Sequence, residues 1–185
     1  KSLPKEEWVN GFAEIIKHAC IKDGAMFKLL EENGLRSFQN DPVLLNKLIQ
    51  RNALLKSKVV QQDEFEKGDR KLLNFGHTLG HAIENTYQLP HGHAVTIGMV
   101  IAAYISRDIF NFNGAERIVS LIKKYGLTAF YNYDAEKALS MMRSDKKAIK
   151  DQIQYVLLEK IGKAVINPLT IDELRPVVQQ LSTNN

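Results

Sequence analysis

The chain has 185 residues, 44% of them hydrophobic and 25% charged, with a formal net charge of +4 at pH 7. That balance belongs to an ordinary globular protein and excludes a disordered one, and the longest strongly apolar stretch, residues 94–105, falls short of the roughly twenty residues that cross a bilayer. A single cysteine, Cys20, excludes an intramolecular disulfide framework, and the 25 basic residues are scattered without the clusters and interleaved aromatics of a nucleic-acid surface, which leaves small anionic substrates open.

A single domain is expected at this length, burying roughly 70% of its unfolded surface. The opening KSLPKEEW lacks the apolar core of a secretory signal, so a cytoplasmic setting is expected. In LPKEEWVNGFAEIIKHACIKD, Pro4 and the acidic residues behind it suit a helix start, with Trp8, Phe12, Ile15 and Ile16 as an apolar stripe. DPVLLNKLIQRNALLKSKVVQQDEFE predicts a long helix capped by Asp41, with Leu44, Leu45, Leu48, Leu54 and Leu55 at helical spacing. EKGDRK interrupts it, Phe75 to Tyr87 predicts another helix, and LPHG turns into an apolar core helix that begins near His91 or His93. Two more helices follow Asn113 and Asp134. Residues 153–167 read as a β-hairpin turning at Ile161-Gly162, and Thr170 caps a last helix that Pro176 is placed to kink. The fold class is therefore mainly α, a multi-helix bundle with one small β-hairpin.

Four of the five histidines fall between residues 77 and 93. His77 and His81 stand four apart, so a helix projects both from one face, with Glu84 one turn further on. Such a pair either binds zinc or is simply two satisfied polar residues. His91, at the head of the next helix, is able to turn back towards His77. Two imidazoles leave zinc underligated, and catalytic sites commonly add a carboxylate while keeping a fourth position open. Glu14, inside the apolar run GFAEIIKHA, is the candidate, because a carboxylate on a buried face needs a partner. The alternative is an ordinary surface pair with Lys17. Lys56, Arg70, Lys146 and Lys147 read singly as solvated charges. Beside a metal site they fit a phosphorylated or carboxylated substrate, Arg offering a bidentate fork and Lys a point charge.

LPKEEWVNGFAEIIKHACIKD, RKLLNFGHTLGHAIE, LPHGHAVTIGM, SDKK and VLLEKIGKAV occur in the order and at the spacing of one family. Through them the chain closely resembles the C-terminal helical domain of the 3-dehydroquinate synthases, over nearly its whole length. The resemblance implies a phosphate-eliminating carbon–oxygen lyase of the shikimate route to aromatic compounds. It converts 3-deoxy-arabino-heptulosonate 7-phosphate to 3-dehydroquinate and phosphate, with zinc, replaceable by cobalt, and NAD as cofactors. It places the zinc ligands on Glu14, His77 and His91, and makes His81 a proton-handling histidine rather than His77's partner on the metal. Lys17, Lys56, Arg70 and Asn74 match positions that hold the substrate's hydroxyl, carboxylate and phosphate groups, Lys146 matches a lysine directed at the phosphate, and Glu66 an acidic residue near the metal.

One departure is visible: His93 stands where the family commonly has a glutamate. The family's N-terminal α/β domain, which carries most of the dinucleotide site, has no counterpart here, since GxGxxG and an alternating strand-helix pattern are lacking. Residues 1–185 are accordingly expected to be one helical metal- and substrate-binding domain of a longer homodimeric enzyme, incomplete for redox chemistry alone. A related sugar-phosphate cyclase and a metal-dependent polyol dehydrogenase are the enzyme alternatives. A helical binding module with packed histidines is the non-enzymatic one. Neither nucleic acid nor membrane is an expected partner.

Overall fold

The computed structural model describes residues 3–64, 68–145 and 152–183. In chain order the elements are α1 (Lys5–Lys22), α2 (Gly24–Glu32), α3 (Leu35–Asn40), α4 (Pro42–Gln62), a 3-10 turn (Asp69–Asn74), α5 (His77–Tyr87), α6 (His91–Phe110), α7 (Ala115–Lys124), α8 (Ala135–Asp145), β1 (Gln152–Lys160), β2 (Lys163–Thr170) and α9 (Ile171–Thr183). The mainly α architecture with one two-stranded antiparallel ribbon is the one the residue pattern implies.

Helix α6 is the centre of the fold. Its residues from Ala94 to Ala103 are buried without interruption, and it packs against α1, α5, α7, β1 and α9. It is long and apolar enough to cross a membrane by length and composition, but it is mostly buried by its own fold and serves as the core helix. Small residues along it, among them Ala94, Gly98, Ala102 and Ala103, let neighbouring helices approach closely. Helix α1 is almost equally enclosed: Phe12, Ala13, Ile16, Ala19, Cys20 and Ile21 are buried, and Phe12 stacks on Tyr125 at 4.9 Å.

Helix α4 starts as its sequence dictates. The Asp41 carboxylate accepts from the N–H groups of Val43 and Leu44 at 2.9 and 3.0 Å, satisfying donors that the first turn leaves orphaned. Its leucines are not all inward, however. Leu48 is buried and Leu44, Leu45 and Leu55 are packed at the margin, whereas Leu54 is 61% exposed. Leu54 lies roughly 120° round the helix from Leu48, and α4 touches α1, α3 and the 3-10 turn along one narrow strip. Helices α2 and α3 occupy a stretch for which the sequence pattern had delimited no element.

The hairpin pairs Ile153 with Leu169, Tyr155 with Asn167 and Leu157 with Val165, with an irregularity between Leu158 and Lys160. Its tip turns at Gly162, in a left-handed conformation at φ 85°, and the Gly162 N–H donates to the Cys20 carbonyl at 2.7 Å. The tip therefore seats on the end of α1. Thr170 and Glu173 cap α9 reciprocally: Thr170 N–H donates to Glu173 Oε2 at 2.7 Å, and Glu173 N–H to Thr170 Oγ1 at 3.3 Å. Helix α9 runs through Pro176 to Thr183.

Candidate metal and substrate site

Two close helix crossings assemble the site. Where α5 meets α6, a Cβ built on Gly98 would stand 1.9 Å from the Gly76 carbonyl oxygen, so only glycine permits the contact. Gly76 itself, at φ 78°, is the left-handed residue that starts α5 and puts His77 at its first position. Where α6 meets α1, a Cβ on Gly92 would lie 2.8 Å from Asn10 Oδ1 and 3.1 Å from Ala13 Cβ. That approach brings His91, at the head of α6, over the face of α1 that carries Glu14.

Among the described residues, Glu14, His77 and His91 offer ligand atoms that all lie within 4.8 Å of one another. Their hydrogen bonds orient them. The Phe75 carbonyl faces His77 Nδ1 at 3.2 Å and can only accept, so the Nδ1–H donates to it and leaves the Nε2 lone pair free. His77 Nε2 faces Glu14 Oε1 at 3.7 Å, and that carboxylate oxygen is buried without a hydrogen-bond partner. Likewise Glu84 Oε2 accepts from His91 Nδ1 at 3.0 Å, again freeing Nε2, in the way that carboxylates orient metal-binding imidazoles. Three lone-pair donors thus converge with no proton between them, a set that suits a divalent cation such as zinc. His81, Glu84 and His91 form a second group within the same distance, which the Glu84–His91 bond accounts for.

His77 and His81 fall in different ones of these two groups, although both rings neighbour His91, at 5.4 and 6.1 Å. The rings of His77 and His81 are edge-on with centroids 5.2 Å apart, and His77 faces Glu14 while His81 stands beside His91. Burial pushes His77 down to about 4, helped by the Lys17 charge and opposed by the Phe75 carbonyl and Glu14. The ring is therefore neutral at physiological pH.

Glu14 and Lys17 are not a surface pair. Lys17 is 3% exposed, and its Nζ donates to Glu14 Oε2 at 2.8 Å. Burial alone would raise the Glu14 pKa, but the Lys17 charge and hydrogen bond, with His77 and His18, outweigh it and hold the carboxylate below its ordinary value. Burial also depresses Lys17, with the Lys56 charge adding to it and Glu14 opposing. Lys56, on the exposed side of α4, thus belongs electrostatically to this cluster. Arg70 and Asn74 lie on the 3-10 turn that leads into α5; Arg70 donates to the Glu64 carbonyl at 2.8 Å, and its own N–H to Asp63 Oδ2 at 3.0 Å. A Lys22–Asp69 ion pair at 2.6 Å ties that turn to α1. Glu66 and Lys146 lie outside the described residues.

Two features are new relative to the sequence reading. His18, one turn beyond Glu14 on α1, is buried with its Nδ1 2.7 Å from the Asn52 amide; the i,i+4 spacing from Glu14 was its only signal. His93 is turned away from the cluster, its Nδ1 2.7 Å from Thr128 Oγ1, so the replacement of an acidic residue there does not alter the three-donor group.

A sequence model described as 3-dehydroquinate synthase C-terminal matches residues 11–148. The chain belongs to the 3-dehydroquinate synthase family. It is 39% identical over 171 residues to the 3-dehydroquinate synthase of Dehalococcoides mccartyi (strain CBDB1), covering 90% of this chain and 48% of that protein. With the 3-dehydroquinate synthase of Prochlorococcus marinus (strain MIT 9313) the identity is 38% over 193 residues, 98% of this chain and 51% of the other. The chain thus spans about half the length of the 3-dehydroquinate synthases it matches. Among solved structures, a 2-epi-5-epi-valiolone synthase from Streptomyces hygroscopicus with NAD+ and Zn2+ bound superposes on all of the chain at a TM-score of 0.85 and 22% identity, over 53% of its own length. A 2-deoxy-scyllo-inosose synthase complexed with carbaglucose-6-phosphate, NAD+ and Co2+ covers 97% of the chain and 52% of its own, at 0.78 and 22%. At that identity the likeness establishes a shared fold.

Proposed function

We propose that this chain is the metal- and substrate-binding half of a 3-dehydroquinate synthase, acting on 3-deoxy-arabino-heptulosonate 7-phosphate to release 3-dehydroquinate and phosphate. The observation that carries the proposal is the convergence of Glu14 Oε1, buried without a hydrogen-bond partner, and His77 Nε2 across 3.7 Å, with His91 beside both. In this reading Glu14, His77 and His91 hold zinc, and the remainder of the polypeptide supplies an N-terminal NAD-binding domain and a homodimer partner. The 38–39% identity to proteins of that name supports this reading over other cyclases, which share the fold at 22%.

When bound, zinc would polarise a substrate hydroxyl as a Lewis acid and NAD would take and return a hydride. The chain's own residues bind and orient. Lys17, Lys56, Arg70, Asn74 and Lys146 engage the substrate's hydroxyl and anionic groups, converting separate encounters into intramolecular steps. His81, next to the metal position without sharing in it, moves a proton at a substrate hydroxyl, and Glu66 is a further acidic residue of this reading. Glu84 keeps His91 in the tautomer that exposes Nε2.

The test is to supply the full-length protein with zinc, NAD and 3-deoxy-arabino-heptulosonate 7-phosphate. Phosphate and 3-dehydroquinate should appear one for one without net NADH. Net NADH would instead assign a polyol dehydrogenase, and turnover only of another sugar phosphate would assign a related cyclase.

A further inference from the structure

Resting on the metal reading above, one buried histidine remains unused by it. His18 lies on α1 one turn from Glu14 and is 2% exposed. Its Nε2 is 4.0 Å from Glu14 Oε2 and has no hydrogen-bond partner. On the other side of the ring, Nδ1 is 2.7 Å from the Asn52 side-chain amide on α4. A neutral imidazole carries one ring proton. Were that proton on Nδ1, His18 Nε2 would be a buried acceptor with no donor, facing a Glu14 Oε2 that can only accept. A half-turn of the Asn52 amide exchanges its oxygen for its NH2 in the same place, so that the amide donates to Nδ1 and the ring proton moves to Nε2.

We propose that Asn52 and His18 form a buried relay in which His18, as a positioning residue, donates Nε2–H to Glu14 Oε2 and holds that carboxylate with Oε1 turned to His77. The remaining gap of about 1 Å is within the swing of a glutamate carboxylate, whose terminal torsion is broad. Lys17 donates to the same oxygen at 2.8 Å. A second, rigid donor there means that Glu14 does not depend on the Lys17 ammonium for its orientation, and this leaves Lys17 able to lend a proton to a substrate oxygen. Arg51, paired with Asp23 at 2.5 Å, fixes α4 against the end of α1 one residue before Asn52, so the relay is anchored at both helices.

The test combines two readouts on the full-length protein. First, 15N shifts of the His18 ring, assigned by their disappearance in His18→Gln, should report a protonated Nε2 and a bare Nδ1; the opposite tautomer overturns the relay. Second, zinc affinity by chelator competition should fall 10–100-fold in His18→Leu and in Asn52→Leu, the range typical of removing a group that orients a metal ligand. His18→Gln, which places an amide donor near the same spot, should recover most of that loss. Wild-type affinity in His18→Leu, or equal losses in the Leu and Gln variants, overturns the proposal. A wild-type chain that binds no zinc sinks the metal reading instead, and the tautomer then still decides the relay.

Discussion

Gly98→Ala isolates the contact that assembles the site from the stability of the fold. The added methyl would sit 1.9 Å from the Gly76 carbonyl oxygen and 3.0 Å from Gly80 N, whereas ordinary contact begins near 3.4 Å. Helix α5 must therefore retreat from α6 by roughly 1.5 Å, an overpacking that costs about 1–3 kcal/mol. Alanine's helix propensity offsets about 1 kcal/mol of this. The net loss of up to about 2 kcal/mol is modest against a folding free energy of about 5–15 kcal/mol. The effect on a metal is not, because zinc–nitrogen bonds near 2.0 Å tolerate about 0.2 Å, and His77 rides on the displaced helix. Chelator-competition titration should show zinc affinity falling more than about 100-fold, beyond the range for disturbing an outer partner, while circular dichroism retains the helical signal. Gly11→Ala is the control: a Cβ there meets nothing within 4 Å, so affinity should be unchanged and stability higher by about 1 kcal/mol. Wild-type zinc affinity in Gly98→Ala would refute the argument that this crossing places His77.

Glu84→Ala removes the acceptor that orients His91 without touching a ligand, and zinc affinity measured the same way should drop by about 10–100-fold. The metal-free chain should also lose stability in acid. His77 is held at about 4 against an ordinary 6.5, so the fold favours the neutral ring and the unfolded chain binds the extra proton between those values. That stability is complete above pH 6.5, declines as pH falls towards 4, and amounts to something on the order of 3 kcal/mol. Burial shifts His18 and His93 in the same direction, adding to the slope. Urea midpoints from pH 7.5 to 4 should fall accordingly and fall less in His77→Asn; equal slopes would exclude His77 as the source.

Much of this was legible in the residues, for identifiable reasons. Asp41-Pro42, the apolar run of α6 and the Ile161-Gly162 turn each encode their element locally, through a cap, an all-round apolar surface and a left-handed glycine. The metal group was legible only in pieces. His77 and His81 share a helical face by spacing, yet the approach of the histidine helices to Glu14 depends on Gly92 against Asn10 and Ala13, a contact between residues about eighty apart in the chain that no periodicity reveals. Residue type and position offered Glu14 and His91 as candidates, and the family resemblance named the same two. It could not foresee His18, whose role rests on a side chain of α4, nor the direction of His93, which lies two positions past His91 and so on the far side of α6. Leu54 was misplaced because helical spacing identifies an apolar face without saying how wide the covered strip is.

The most direct measurement is zinc stoichiometry of the purified chain, after chelation and re-addition of metal, in wild type, Glu14→Ala, His77→Ala and His81→Ala. One zinc per chain in the wild type and in His81→Ala, with loss in Glu14→Ala and His77→Ala, is the predicted result. Equal loss in His77→Ala and His81→Ala, or zinc retained without Glu14 and His77, would contradict the three-donor site and return the histidines to a simple HxxxH pair.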